Sequence, residues 1–108
     1  MTKMELEEIE RIRALLHPLF VRTGVIKAVL FGSLATGKGS KRSDVDLMIV
    51  KDTDRRFLDR YEEFSFVSDV IKGRAVEMLI YTPGELERIS HRPFIKRILK
   101  EGVVLYEH

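Results

Sequence analysis

The chain of 108 residues contains no cysteine, tryptophan, asparagine or glutamine. Without cysteine there is no disulfide framework and no zinc site built on cysteine ligands. No apolar run approaches the roughly 20 residues needed to cross a bilayer. The first ten residues are too acidic for a signal peptide. We therefore expect a cytoplasmic protein that has no contact with a membrane.

The chain also lacks an excess of either sign of charge. It has 19 Lys and Arg against 17 Asp and Glu, which gives a formal net charge of +2. A balance of this kind does not indicate a nucleic-acid partner. The length and a hydrophobic content of 44% suit one domain over residues 1–108.

Hydrophobic periodicity predicts helices that alternate with strands. Thr2 and Glu5 form a capping-box pattern, and a helical pattern follows to Pro18, where proline should kink or end the helix. Further helices are predicted over 54–72, from Thr82, and over 93–100. Strands are predicted over 25–31, 44–50, 74–81 and 103–106. The fold class is α+β (mixed α/β), with a single small mixed sheet of about four strands flanked by helices.

Two aspartates, Asp44 and Asp46, stand in an apolar run that otherwise predicts a strand. Residues two apart share a face of a strand, so both carboxylates point one way while Val45, Leu47 and Ile49 point into a core. Neighbouring carboxylates repel unless a cation lies between them. A hard cation such as magnesium takes carboxylate oxygens and keeps open positions for phosphate. The alternative is a solvated edge face.

A third acid, Glu77, interrupts the apolar run of the strand predicted over 74–81. A buried acid is costly unless it is paired. If this strand lies beside that of Asp46, Glu77 joins the same cluster. Three carboxylates can hold one or two metal ions in the geometry used for in-line phosphoryl displacement. Taken alone, Glu77 is equally well a surface residue.

A Gly-Ser pair, Gly32 and Ser33, directly follows the first predicted strand. Glycine lets the backbone approach a phosphate closely, and the N–H groups of the turn and the Ser33 hydroxyl can contact it. A plain turn is the alternative. The segment is not a Walker A loop, because the leading glycine spacing and the GKS or GKT ending are missing.

The order of strand, Gly-Ser, loop, Ser-Asp-Val-Asp-Leu and a later strand acid resembles the nucleotidyltransferase superfamily that includes DNA polymerase beta. Within it, the chain is most similar to the minimal nucleotidyltransferases, the antitoxin partners of HEPN-domain toxins. The SDVDL strand, the IYTPGEL stretch and the EGVVLYE ending carry this similarity. The resemblance covers nearly the whole chain.

The resemblance implies a nucleotidyltransferase fold and magnesium-dependent transfer of NMP, with AMP from ATP as the expected case, to a hydroxyl group. Asp44 and Asp46 would bind one or two Mg²⁺ ions, and Glu77 would be a further ligand or the base. Gly32 and Ser33 would bind the phosphates of the nucleoside triphosphate. The acceptor would be a tyrosine of a partner HEPN toxin, which makes the chain an antitoxin.

Two departures from the family pattern keep a second hypothesis open. The third acid is usually aspartate, not Glu77, and the turn often reads Gly-Ser-Arg-Ala-Arg-Gly where this chain has GSLATG. Lys38, Lys41 or Arg42 either supply the missing charge or solvate the loop. The alternative to an enzyme is therefore a binding module that neutralises a toxin by contact. Larger relatives carry an extra helical domain, so we expect a homo- or hetero-oligomer to complete the site.

Overall fold

The computed structural model describes residues 1–108. Its helices and strands follow in the order α1 (Lys3–Thr23), β1 (Lys27–Phe31), β2 (Val45–Val50), a 3₁₀ helix (Phe57–Asp59), α2 (Arg60–Glu63), α3 (Phe66–Val70), β3 (Val76–Tyr81), α4 (Pro83–Ile89), α5 (Pro93–Glu101) and β4 (Val103–Glu107). The strands form one sheet in the order β3-β2-β1-β4. β1 pairs antiparallel with β2 and β4, whereas β2 and β3 are parallel. The predicted α+β fold with a small mixed sheet is confirmed.

The two faces of the sheet carry cores of unequal size. Val45, Leu47 and Ile49 point to the larger core of 18 buried residues, which confirms their predicted direction. The opposite face carries a cluster of five buried residues, which includes Met48 of β2 and Ile98 of α5. Because side chains alternate along a strand, Asp46 lies on the face of the smaller core. The fold therefore places the acids on the side covered by α5.

The prediction that α1 could end at Pro18 is wrong, since the helix runs unbroken across that residue. Ile12, Leu16 and Phe20 lie on both sides of the proline and are fully buried in one core. Proline removes the hydrogen bond to the carbonyl four residues earlier, that of Ala14. Pro18 and Ala14 are both exposed, so water can satisfy this carbonyl. Tertiary packing keeps the helix continuous.

The single helix predicted over 54–72 is also wrong. A loop leads to the 3₁₀ helix, whose N-cap has no side-chain hydrogen bond, and α2 and α3 are separated by a break. Two side chains tie this segment to β3: Arg60 donates to the Ile80 carbonyl at 3.0 Å, and the Tyr61 hydroxyl donates to the Met78 carbonyl at 2.7 Å. The FSFVS run consists of weak helix formers. Contact with β3 therefore decides the local structure.

The later elements begin as predicted. Thr82 caps α4, and Glu85 completes the capping box by accepting the Thr82 N–H. Pro93 is the first residue of α5, and Gly102 follows the last. None of the helices is both long and apolar enough to cross a membrane.

Candidate active site

The sheet places the predicted site residues at one of its ends. β2 and β3 lie side by side, and their register sets Asp46 opposite Glu77. On the other side of β2, Phe31 of β1 is opposite Asp46, and Gly32 and Ser33 follow Phe31 directly. The two acidic strands are therefore adjacent, which is the condition under which Glu77 was expected to join the aspartates. A carboxylate pair and the Gly-Ser turn share one end of the sheet.

The three acids differ in exposure. Asp44 is exposed and directly precedes β2, Asp46 is half-buried within β2, and Glu77 is exposed on the edge strand β3. Burial raises the pKa of the Asp46 carboxyl, and the negative charges of Glu77 and Asp44 raise it further. None of the three carboxylates forms an ion pair. Their uncompensated charge is a reason for a cation to bind.

Gly32 contacts the Asp46 side chain through its backbone. Its φ of +78° lies in the left-handed region, which favours glycine. A Cβ at this position would collide with Oδ2 of Asp46. The chain then makes a helical turn, in which the Ala35 N–H donates to the Gly32 carbonyl and the Lys38 N–H donates to the Ser33 carbonyl. This agrees with the turn predicted after the first strand.

Two residues where family members often have arginine bring no charge to the turn. Leu34 is buried in the larger core. Thr36 is exposed, and its hydroxyl lies 3.3 Å from the carbonyl oxygens of Gly32 and Ser33. Position 34 faces inward, so an arginine there would need a different turn or a different core. Positive charge at the site must come from residues other than these two.

A cleft of about 440 Å³ opens between the Gly-Ser turn and α5. That volume is within the range of small-ligand sites. Gly32, Ser33 and Lys38 line one wall, and Arg97 and Phe94 line the other. The sequence did not single out Arg97, because only the packing of α5 on the sheet brings it to the turn.

Of the three basic residues considered for the missing charge, only Lys38 lines this cleft. Lys41 lines a second cleft on the other side of the loop, and Arg42 lines neither. The structure therefore distinguishes Lys38 from Lys41 and Arg42 as the basic residue beside the Gly-Ser turn, which the sequence alone could not do.

Arg74 forms hydrogen bonds to the loop that leads to Asp44. Its Nη1 donates to the carbonyls of Ser40 and Ser43, each at 2.8 Å. Its Nε donates to Oε1 of Glu8 in α1 at 3.3 Å. This guanidinium fixes the loop directly before Asp44. Nothing in the local sequence pattern around Arg74 indicated that role, because its partners are more than 30 residues away along the chain.

The donor set fits a hard divalent cation by its chemistry. Carboxylate oxygens are the ligands that magnesium prefers, and here they are unpaired and adjacent. No group of three or more His, Cys, Asp or Glu side chains is placed so that it could hold a metal ion. The three predicted ligands, Asp44, Asp46 and Glu77, are thus neighbours at the ends of two strands and do not converge on one point.

Comparison with known proteins identifies relatives over nearly the whole chain. Residues 6–106 match the protein family described as "Nucleotidyltransferase domain". Two proteins of Methanocaldococcus jannaschii, each named "putative protein adenylyltransferase", are similar in sequence. One is 28% identical over 88% of this chain and 95% of its own length. The other is 29% identical over 79% of this chain and 82% of its own length.

Two solved structures share the fold. One, described as a "putative nucleotidyltransferase" from Sulfolobus solfataricus, has a TM-score of 0.61 and 22% identity, and the match covers 100% of this chain and 91% of that one. The other is described as a "putative minimal nucleotidyltransferase". It has a TM-score of 0.65 and 24% identity, with 95% of this chain and 98% of that one covered. The predicted nucleotidyltransferase fold is confirmed.

Proposed function

Because the chain belongs to the nucleotidyltransferase domain family, we propose that it transfers a nucleoside monophosphate from a nucleoside triphosphate to a hydroxyl group, with ATP as donor and Mg²⁺ as the metal. One observation carries the proposal. Asp46 lies opposite Glu77 in neighbouring strands, and the backbone of Gly32 is against the Asp46 carboxylate. A phosphate held at the Gly-Ser turn would therefore lie beside the acids.

Each of the site residues has a different role in the proposed reaction. Gly32 and Ser33 contact the β and γ phosphates through backbone N–H groups and the serine hydroxyl. Asp44 and Asp46 would hold Mg²⁺, which would neutralise charge on the phosphates. Glu77 is exposed on β3, where it can act as a further ligand or take the proton of an incoming hydroxyl.

The proposed transfer is a single displacement. The acceptor oxygen forms a bond to the α-phosphorus, and the bond from that phosphorus to the bridging oxygen of the β-phosphate breaks. Pyrophosphate leaves, and the proton of the hydroxyl passes to a carboxylate. No covalent intermediate with the protein is required.

We further propose that the acceptor is a tyrosine of a partner HEPN toxin, so that the chain acts as an antitoxin. Two relatives named as protein adenylyltransferases favour a protein acceptor. The exposure of Asp44 and Glu77 leaves the acids accessible to a second macromolecule.

The test is to incubate the protein with ATP labelled at the α-phosphate, Mg²⁺ and a purified HEPN toxin. We expect label on the toxin, and a loss of about a hundredfold or more in the Asp46→Asn variant. Asp52→Asn is the matched control, since Asp52 is exposed in the loop after β2 and should transfer label normally. Transfer undiminished by Asp46→Asn would refute the assignment of the acids.

The stability of Asp46→Asn should be measured in the same experiment. The folded pKa of Asp46 is raised, so its ionised form costs stability at neutral pH, and this cost is relieved as pH falls through that pKa. The variant should therefore unfold in urea at the same or a higher concentration, which separates lost activity from lost fold. Neutralisation of the toxin without label, undiminished by Asp44→Asn, would instead favour the binding module.

A further inference from the structure

We propose that Arg97 of α5 and Lys38 of the turn bind the phosphate chain of the nucleotide from opposite walls of the 440 Å³ cleft. The inference rests on the proposed function, because it names the cationic contacts of the same site. The two cations supply the charge that Leu34 and Thr36 of the turn do not carry.

The position of the two cations supports the proposal. The cleft that they line also exposes Gly32 and Ser33, the two residues predicted to contact phosphate. A ligand of several linked phosphates at the turn would thus meet Lys38 on its own wall and Arg97 across the gap. The guanidinium of arginine can bind two phosphate oxygens at once, whereas lysine acts as a point charge.

The charge of both residues is available. Neither Arg97 nor Lys38 forms an ion pair, although most of the ion pairs in the chain contain an arginine. Their side chains also form no hydrogen bond within the protein. One acid, Glu101, lines the same cleft one turn further along α5. Two cations against one carboxylate leave the cleft walls positive, which suits an anion.

The proposal explains how the turn can lack arginine. Leu34 is turned into the larger core and Thr36 is neutral, so neither contributes charge to a phosphate. α5 packs on the same sheet face as Asp46 through Ile95 and Ile98, and this packing aims Arg97 at the turn. The cation thus comes from a segment more than 60 residues later in the chain.

The experiment measures binding of inorganic tripolyphosphate with Mg²⁺ by isothermal titration calorimetry, so it does not require transfer activity. Arg97→Ala and Lys38→Ala should each weaken binding by about tenfold or more, because each removes a charge-assisted contact. Arg97→Lys should recover part of the loss. Two controls make the same change of charge outside this cleft: Lys96→Ala, the adjacent exposed residue of α5, and Lys41→Ala, in the loop. Both should bind as the wild type does.

The outcomes separate this proposal from the proposed function. Equal weakening in Lys96→Ala, unchanged binding in Arg97→Ala, or no binding by the wild type would each overturn it. If the wild type transfers label and Arg97→Ala binds and transfers normally, the inference fails while the function stands. If no transfer is found yet tripolyphosphate binding depends on Arg97 and Lys38, the inference stands without the function.

Discussion

At the scale of single residues, Gly32 is restricted in two independent ways. Its φ of +78° disfavours any side chain, and a Cβ would in addition meet Oδ2 of Asp46. Gly73 has a φ of +81° and nothing within 4 Å of its Cβ position. A substitution at Gly73 therefore tests the cost of the left-handed backbone without the cost of a steric collision.

We predict that Gly73→Ala lowers the free energy of unfolding by about 1 kcal/mol, the cost of left-handed backbone. Gly32→Ala should cost about 1–3 kcal/mol more, because the carboxylate must move. In an Asp46→Ala background, Gly32→Ala should fall to the cost of Gly73→Ala. Urea denaturation of the four variants gives each value. Equal costs at positions 32 and 73 in the wild-type background would show that the contact is absent.

The sequence predicted the residues of this site whose signal is local. Gly32, Ser33 and the two aspartates form a short pattern around two strands, and the apolar run around Glu77 made that acid conspicuous. Arg97 and Arg74 were missed because each lies in an ordinary charged segment. Only packing brings Arg97 to the cleft beside the Gly-Ser turn and Arg74 to its hydrogen-bond partners, and single-sequence periodicity does not contain that information.

At the scale of elements, the sequence predicted the order of helices and strands but misjudged where tertiary contacts override local preference. The capping box at Thr82 was readable because its two partners are three residues apart. The break between α2 and α3 was not, because it depends on hydrogen bonds from Arg60 and Tyr61 to β3. The continuity of α1 depends in the same way on a core on both sides of Pro18.

For α1 we predict that Pro18→Ala raises the free energy of unfolding by about 2 kcal/mol. Alanine restores the hydrogen bond to the Ala14 carbonyl and the preferred backbone, which outweighs the loss of about 1 kcal/mol that comes from a less restricted unfolded chain. Urea denaturation measures the change. Ala14→Gly, one turn earlier on the same exposed face, should lower stability by about 1 kcal/mol and checks that the region is helical. A destabilised Pro18→Ala would contradict the prediction.

For α4 we predict that Glu85→Gln destabilises the fold by about 2–3 kcal/mol at neutral pH. The Glu85 carboxylate accepts hydrogen bonds from Nη1 of Arg60 at 2.6 Å and from Nη2 at 3.1 Å. The Arg60 side chain is only 5% exposed. Glutamine keeps the acceptor of the capping box but leaves the buried guanidinium without a counter-charge. Thr82→Ser, which keeps the cap hydroxyl, should change stability little.

The same pair sets a pH dependence. The hydrogen bond from Arg60, and after it the hydrogen bond from the Thr82 N–H, lower the pKa of Glu85 from 4.5 to about 2. Because the folded pKa is depressed, the stabilisation is complete above about pH 4.5 and is lost as pH falls towards 2. Wild-type stability should therefore decrease over that window, and the decrease should be smaller in Glu85→Gln. Parallel curves for the two proteins would contradict this assignment.

At the scale of the whole molecule, the sheet separates a large core from a small one. α1 and α3 cover the face with 18 buried residues, whereas α5 covers the face with five. The candidate site lies on the second face, where Asp46 and the cleft are found. Apolar burial is the main stabilising contribution, so the layer that bears the site is held less strongly.

We therefore predict that the free energy of the opening that exposes the Ile98 amide in α5 to hydrogen exchange is lower than the corresponding free energy for the Leu16 amide in α1. The difference should be at least about 1 kcal/mol. Native-state hydrogen exchange at low urea measures both. Tripolyphosphate with Mg²⁺ should raise the protection of the Ile98 amide more than that of the Leu16 amide. The reason is that the ligand binds only the state in which α5 is packed on the sheet and forms the cleft. Equal protection of the two amides, with or without ligand, would mean that residues 1–108 open only as one unit and that α5 is not a separately held wall of the site.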